Sequence, residues 1–460
     1  MLCAEKKMSR VNNIDLHYDA IVVGLGITGL SCFRYLSKQG LNVAITDSRE
    51  TPPELSKLKE EFSSVPIYLG KINEEALLAS DQIILSPGVS LDNKSIQLSI
   101  ERNIPVVGDI ELFCQKAQAP IIAVSGSNGK STVTTIVTEM TRSSGLKTHV
   151  GGNIGVPALD LLDDIVPDLY VLELSSFQLE TTFSLNAHAS VVLNVSPDHM
   201  DRYTSFHDYV AAKKRIYLGE GLMVVNKDEK YFHSMINTNR EIIYFTLDTP
   251  EEGNYGLINE DNEVWLCHGN EKIINRSQLQ IKGEHNISNA LAAMALAKTV
   301  NVPTRKMSDV LKNFTGLQHR CQLVRKINSV SWYNDSKATN VEACIASIKG
   351  LSEFGNIILI AGGDSKEADL SGLRLVIKKY VKKVFLLGID ANKLANVISP
   401  DVEKEFVKNM SDAVKGANKI VGFGDLVLLA PACSSLDMYK NYQQRGDAFI
   451  SAVNALSNDI

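Results

Sequence analysis

The segment Pro120-Ile121-Ile122-Ala123-Val124-Ser125 has the apolar pattern of a buried strand, and it runs straight into Gly126-Ser127-Asn128-Gly129-Lys130-Ser131-Thr132. The residues that follow place Val133, Ile136, Val137 and Met140 at i, i+3, i+4 and i+7, the spacing of an amphipathic helix that ends near Gly145. A strand, a glycine loop and a helix in that order restrict the chain to an α/β fold in which the loop lies at the end of a sheet. Glycines let backbone N–H groups close on phosphate oxygens, and the helix N-terminus adds positive potential. Lys130 is then placed to reach the β- and γ-phosphates, and Ser131 to set its hydroxyl on Mg²⁺. In the usual loop a glycine stands five residues before Gly129; here that residue is Val124, and the first glycine comes two residues later. The pattern specifies ATP or GTP and is silent about the reaction.

Around this loop, short runs rich in Val, Ile and Leu alternate with longer amphipathic segments, as in a parallel sheet with crossover helices. The clearest strand patterns are 20–23, 121–125, 170–173, 190–195, 356–360, 384–387 and 426–429. They fall into three groups, and 460 residues at roughly 150 per domain give the same number. The expected fold class is α/β with three domains: 1–108, 109–316 and 317–460. The expected frame is a Rossmann-like N-terminal domain, a central P-loop domain with a mostly parallel sheet and a Rossmann-like C-terminal domain.

Hydrophobic residues at 44% and charged residues at 22% suit soluble globular cores. With 47 basic and 53 acidic side chains the net charge is −6, which argues against a general binder of nucleic acid or of anionic membranes. Cys3, Cys32, Cys114, Cys267, Cys321, Cys344 and Cys433 are dispersed without a Cys-x-x-Cys pair, and read as free thiols in a reducing compartment. Lys6 and Lys7 are not followed by an apolar stretch before Asp15, and no run of about 18 apolar residues occurs anywhere. A cytoplasmic location is expected.

A second glycine turn tempts a different conclusion. Asp19-Ala20-Ile21-Val22-Val23 leads into Gly24-Leu25-Gly26-Ile27-Thr28-Gly29 and a helix through Cys32 and Leu36, and a further strand pattern over 41–46 ends at Asp47. This is the dinucleotide fingerprint, and hydride transfer with NAD is the obvious inference. The same geometry holds any diphosphate-bearing nucleotide, however, and Ser86-Pro87-Gly88-Val89 after the strand pattern 83–85 supplies another wall for such a pocket. Two nucleotide-type sites without a redox residue set favour a ligase over a dehydrogenase.

Further motifs narrow the choice. Gly151-Gly152-Asn153-Ile154-Gly155, Glu173-Leu174-Ser175-Ser176-Phe177-Gln178, Asn194-Val195-Ser196-Pro197-Asp198-His199-Met200-Asp201-Arg202, Gly283-Glu284-His285-Asn286 and Asn334-Asp335-Ser336-Lys337-Ala338-Thr339-Asn340 follow one another along the chain. In order and spacing they resemble the Mur ligase family, whose phosphate loop has the same shortened form, and the resemblance spans nearly the whole chain. The Asp-Asn-Pro-Arg motif of the diamino-acid-adding members is absent, and Ser434-Ser435-Leu436-Asp437 with Lys440-Asn441-Tyr442 fits the D-glutamate-adding branch. Folylpolyglutamate synthase shares the architecture and fits less well.

The resemblance implies an ATP-dependent amide ligase of bacterial peptidoglycan precursor synthesis, adding D-glutamate to UDP-N-acetylmuramoyl-L-alanine through an acyl phosphate. It implies a monomer acting on small molecules, with ATP and Mg²⁺ (two ions, Mn²⁺ able to substitute). Carried over residue by residue, the ATP site comprises Gly126, Ser127, Asn128, Gly129, Lys130, Ser131, Thr132, Asn286, Arg320 and Asp335. Asn289 shares a helix face with Asn286, and Arg320 follows His319 at a domain hinge. The UDP-substrate would meet Gly26, Ile27, Thr28, Asp47, Arg49, Ser86, Pro87, Gly88, Asn153, Ser175 and Gln178. D-Glutamate would meet Lys337, Thr339, Lys366, Ser435, Leu436 and Tyr442, the last standing where another aromatic residue is frequent. The catalytic set is Lys130, Glu173, His199 and Lys213, and the metal ligands are Ser131, Glu173, His199 and Lys213 as its carbamate. On its own spacing Lys213 reads as part of a solvated basic helix face, in a helix begun by Ser205 with Asp208 completing a capping box.

Overall fold

The computed structural model describes residues 17–162, 165–281 and 283–456. Lys6, Lys7 and Cys3 lie outside the described residues, so the readings made on them stay with the sequence. Two compact units are present: one formed by residues 1–118, 151–166 and 175–185, the other by 119–150, 167–174 and 186–460. The chain builds three sheets, mostly parallel, with helices between the strands, so the fold class is the α/β arrangement expected.

The N-terminal sheet is five-stranded and parallel, in the order Ile67–Tyr68, Val43–Thr46, Ala20–Val23, Ile83–Leu85, Val106–Val107. Every residue of the three middle strands is buried, which is why these strands read as continuous apolar runs rather than as alternating ones. The second strand starts at Val43, not at Leu41: Leu41 follows directly on the turn at Gln39-Gly40 and is 37% exposed.

The central sheet has nine strands. Its parallel part contains Leu169–Glu173, Ile121–Ser125, Ala189–Val192, Leu222–Asn226 and Ile242–Phe245 as neighbours, followed by Tyr255–Glu260. Glu263–His268 and Glu271–Asn275 then extend it antiparallel, an extension that sequence reasoning missed. One face is covered by the helices Lys130–Ser143 and Glu284–Thr299. Ala290, Ala292, Ala293, Ala295 and Ala297 are fully buried, and their small side chains let the second helix lie close against the sheet and the first helix. The strand expected over 190–195 ends at Val192. Beyond it the Ser127 and Leu193 main chains turn to bond each other's segments, Leu193 N to Ser125 O and Ser127 N to Asn194 O, both at 2.9 Å.

The C-terminal sheet runs Gln322–Ile327, Val330–Asn334, Leu426–Leu429, Ile357–Gly362, Val381–Leu387, Glu403–Phe406, parallel except for its first strand. Its fully buried Trp332 packs against Phe449 of the helix Tyr442–Asn454. The six cysteines among the described residues are free. Among the described residues, no helix is long and apolar enough to cross a membrane.

Candidate active site

Val124 explains the shortened loop. It lies inside the strand Ile121–Ser125, fully buried and in register with Glu173 on one side and Val191 on the other. The chain is still strand there, so it has no use for a glycine, and the loop begins at Gly126. Gly126 and Gly129 have φ of 149° and 83°, and a Cβ on Gly129 would stand 2.4 Å from Asn289 Oδ1, so both positions require glycine. The helix Lys130–Ser143 that follows has no side-chain cap, which leaves its first N–H groups for a ligand. Asn194 holds the loop from outside: its Oδ1 accepts from Asn128 N at 2.8 Å and its Nδ2 donates to Asn128 O at 3.1 Å.

The register that sets Glu173 beside Val124 also carries it to Ser131, whose hydroxyl donates to Glu173 Oε2 at 2.6 Å. Arg320, 189 residues further on, donates from Nη2 to the same Ser131 oxygen at 2.5 Å. Lys130 Nζ donates to Gly126 O at 2.8 Å and Ser127 O at 2.9 Å. Asn286 and Asn289 meet as their spacing requires, Asn289 Nδ2 donating to Asn286 Oδ1 at 3.3 Å. Asp335 is buried beside its Ser347 hydrogen-bond partner, and burial pushes its carboxyl up to about 6.

Lys213 is not on a solvated face. It is 2% exposed, its Nζ donates to Gly126 O at 2.9 Å, and it lies 4.6 Å from the centre of the Tyr209 ring. Burial first, and then the charge of Lys130, hold its ammonium well below the usual lysine range. Its neighbour Lys214 points away, to Ser234 O. Tyr209 stands one helical turn before Lys213 and its hydroxyl meets Ser127 Oγ at 2.9 Å, pinning the helix Phe206–Lys214 to the loop. Ser205 does cap that helix by accepting from Asp208 N, but the reciprocal half of a capping box is missing. Asp208 Oδ2 accepts from the Ser205 hydroxyl at 2.8 Å instead of from its main chain. His199 has φ 57° and is half-buried; burial lowers its basicity, and Lys366, Lys130 and Lys213 lower it further against the pull of Asp198.

Three loops of the C-terminal sheet carry the remaining candidates of this unit. Lys337 Nζ lies 4.3 Å from the centre of the Tyr442 ring, and burial, Arg320 and Lys130 bring its ammonium down to about 8. Lys366 and Glu367 are consecutive left-handed residues, with φ of 50° and 58°; the loop is fixed by Lys366 N donating to Asp364 Oδ1 and Ser365 donating to Asp390. Ser434 N and Asp364 N exchange main-chain hydrogen bonds at 2.7 and 3.1 Å, which sets Ser435 and the exposed Leu436 beside the Lys366 loop. Thr339 is half-buried one residue before Asn340, whose Nδ2 reaches Asn128 Oδ1 and Asp198 Oδ2, each at 3.4 Å. Lys130, Lys213, Arg320 and Lys337 thus share one field, with Glu173 and Asp198 as the acids among them, and Lys366 acts on His199 at its edge.

The other unit holds the remaining candidates. Gly24 has φ 94°, and a Cβ on Gly29 would fall 1.9 Å from Gly24 O. Gly29→Ala is expected to lower the melting temperature by roughly 5 °C or more, as a core overpacking change does; unchanged thermal unfolding would contradict this close approach. Gly26 leads into the helix Ile27–Lys38, which has no side-chain cap, and Ile27 is 64% exposed; Thr28 lies in the same first turn. Asp47 is spent inside the protein. Its oxygens accept from Leu25 N at 2.7 Å, Arg49 N at 2.8 Å, Arg49 Nε at 2.9 Å and Arg49 Nη2 at 2.7 Å, which leaves the half-exposed Arg49 to meet a ligand. Ser86 Oγ donates to Gly24 O at 2.7 Å and so brings Pro87 and Gly88 to the glycine turn. Ser175 caps the helix Ser176–Glu180 with Gln178 in a complete capping box, and Gln178 Nε2 donates to Asp109 Oδ2 at 3.0 Å. Asn153 lies in the turn after the strand Thr148–Gly152.

Sequence reasoning missed Asn194, Tyr209, Ser347 and Arg445. Tyr209 was findable, four residues before Lys213 on the same helix face, and Asn194 opens a motif already singled out. Ser347 and Arg445 carry no local signal.

A phosphate loop whose serine meets a strand-end glutamate and an arginine from the segment that leads into the C-terminal sheet, ringed by lysines, defines a P-loop ATP-dependent ligase. Family models match in chain order: the Mur ligase MurD-like N-terminal domain over residues 18–108, the Mur ligase middle domain over 124–297 and the Mur ligase glutamate ligase domain over 319–433. The chain belongs to the Mur ligase family. It is 45% identical over 437 residues to the UDP-N-acetylmuramoylalanine--D-glutamate ligase of Nitrosococcus oceani, covering 95% of this chain and 96% of that one. To the enzyme of the same name from Pseudomonas syringae pv. tomato it is 46% identical over 439 residues, 95% and 98% of the two chains. Its fold is similar to that of the UDP-N-acetylmuramate-alanine ligase of Thermotoga maritima, with TM-score 0.59 at 17% identity over 95% of this chain and 100% of that one.

Proposed function

We propose that the chain joins D-glutamate to UDP-N-acetylmuramoyl-L-alanine with ATP, as the D-glutamate ligases it resembles are named for doing. The observation that supports this most is the gathering of four cations, Lys130, Lys213, Arg320 and Lys337, at the phosphate loop, because the reaction must press two anions together. A carboxylate is a poor electrophile at neutral pH. Its oxygen attacks the γ-phosphorus of ATP, ADP leaves, and an acyl phosphate forms. The amine of D-glutamate then attacks the acyl carbon, giving a tetrahedral intermediate that loses inorganic phosphate and a proton to leave the amide.

In this reading Lys130 and Arg320 hold the transferring phosphate, with Asn286 and Asp335 on the rest of ATP. Arg49, the Gly26–Thr28 turn, Gly88, Asn153 and Ser175 receive the UDP-substrate. Asp47 and Gln178 act by holding those segments, since their polar atoms are already bonded within the protein. Lys337, Thr339, Lys366, Ser435, Leu436 and Tyr442 form the pocket for D-glutamate, whose two carboxylates need cations and hydroxyl donors.

The residues fit Mg²⁺. Ser131 and Glu173 bring hard oxygen donors within 2.6 Å of each other, and the same pair would hold one ion. His199 and the carbamate of Lys213 would hold a second, and Mn²⁺ would serve in its place. When bound, the metal neutralises charge that develops on the phosphate oxygens. Lys213 suits carbamylation because burial beside Lys130 favours its neutral amine, the form that takes up CO₂. We further place the enzyme in the bacterial cytoplasm, as a monomer.

ADP release measured with UDP-N-acetylmuramoyl-L-alanine across a panel of amino acids tests the assignment. D-Glutamate is expected to stimulate release and L-glutamate and L-lysine to leave it near background. Equal stimulation by either L-amino acid would overturn it.

A further inference from the structure

We propose that Arg445 is a positioning residue for the amino-acid pocket, holding three separate loops in place through their main chains. The inference rests on the D-glutamate reading above and adds a residue to it. Arg445 lies in the helix Tyr442–Asn454, only 2% exposed. Its Nε donates to Ser336 Oγ at 3.0 Å and its Nη2 to Ser336 O at 2.9 Å. Its Nη1 faces Cys433 O and Ser434 O, each at 3.1 Å, and Gly362 O at 3.4 Å.

Every one of these acceptors is uncharged. Burial lowers the guanidinium only to about 10, so it stays charged at neutral pH. A buried cation whose hydrogen bonds all go to uncharged oxygens, with the Asp437 carboxylate attracting it without a direct bond, is a costly choice for packing alone, because an apolar side chain of the same volume serves that purpose better. What the guanidinium offers is a rigid fork of five donors, and here the fork spans three chain segments. Each bonded carbonyl or hydroxyl stands just before a pocket residue. Ser336 precedes Lys337, Gly362 begins the loop to Lys366, and Cys433 and Ser434 precede Ser435 and Leu436. The fit is tight: a Cβ on Gly363 would lie 2.0 Å from Ser434 O and 3.2 Å from Arg445 Nη1. Tyr442, on the same helix, accepts from Ser336 Oγ through its main-chain oxygen at 2.8 Å, closing the set.

The ATP half has its own supports. Asp335 is held by Ser347 and by its N–H on Leu429 O, neither of which involves Arg445. Arg445→Lys keeps the charge and loses the fork. It is expected to raise the KM for D-glutamate at least roughly tenfold while the KM for ATP moves by no more than about threefold. Arg445→Met should raise it further, and Ser336→Ala, which removes a single acceptor, should shift it in the same direction by less. If Arg445→Lys does not fold, Ser336→Ala carries the test. Steady-state kinetics of all three with melting temperatures, beside Lys366→Ala, distinguish the outcomes. Lys366→Ala raising the KM for D-glutamate while the Arg445 and Ser336 variants do not would overturn the positioning role and leave the pocket reading standing. An equal change in the KM of every substrate, accompanied by a lowered melting temperature, would also overturn it, since that is the behaviour of a structural residue. Lys366→Ala with an unchanged KM would overturn the pocket reading and this inference together.

Discussion

Lys130→Ala is expected to lower kcat for amino-acid-dependent ADP release by about a thousandfold, roughly 4 kcal/mol of transition-state stabilisation. The loop's backbone N–H groups and the uncapped helix Lys130–Ser143 remain in the variant, so ATP should still bind. What disappears is the ammonium placed within the loop, beside Gly126 and Ser127, where charge gathers on the transferring phosphoryl group. Alanine suits a helix start and the side chain is only part-buried, so the fold should survive. Turnover at saturating substrates, read together with thermal unfolding, checks this. A loss of less than about tenfold in a folded variant would remove Lys130 from the chemistry.

Lys213→Ala should be nearly as severe, with at least about a thousandfold loss, and Lys213→Arg should be equally inactive. The second substitution makes the point. Arginine keeps the positive charge but cannot form a carbamate, so a residue needed only as a cation would tolerate it. Burial and the nearby Lys130 charge disfavour the ammonium of Lys213 and raise the share of free amine at neutral pH. That amine adds to CO₂, releases a proton and becomes an anion, which turns a repulsion with Lys130 into an attraction. With ¹³C-labelled bicarbonate the unmodified enzyme should show a carbamate carbon resonance that both variants lack. Normal turnover in Lys213→Arg, or no such resonance in the active enzyme, would discard the carbamate.

Much of the site was legible because its parts are local. The glycine loop, the helix after it, the Gly24–Gly29 turn and the Asn286/Asn289 pair each depend on residues within a few positions of one another. What could not be read was the environment. Asp47 stands where the dinucleotide fingerprint has its acidic residue, yet its oxygens are spent on Leu25 and Arg49. Lys213 has the spacing of a solvated residue and is buried instead. The antiparallel strands Glu263–His268 and Glu271–Asn275 escaped notice because each opens on a charged residue and is only partly buried, so its apolar residues do not stand out as a buried parallel strand's do.

By itself the amino-acid sequence determined that residues 120–143 form a strand, a phosphate loop and a helix, since backbone freedom at glycine and hydrophobic period are properties of short segments. Only the tertiary structure decided that Ser131 would meet Glu173 and Arg320, that Lys213 would lose its water, and that Arg445 would join three loops. Those contacts link residues from 11 to 189 positions apart, and the burial and fields at each atom are sums over neighbours that the chain brings together only when it folds.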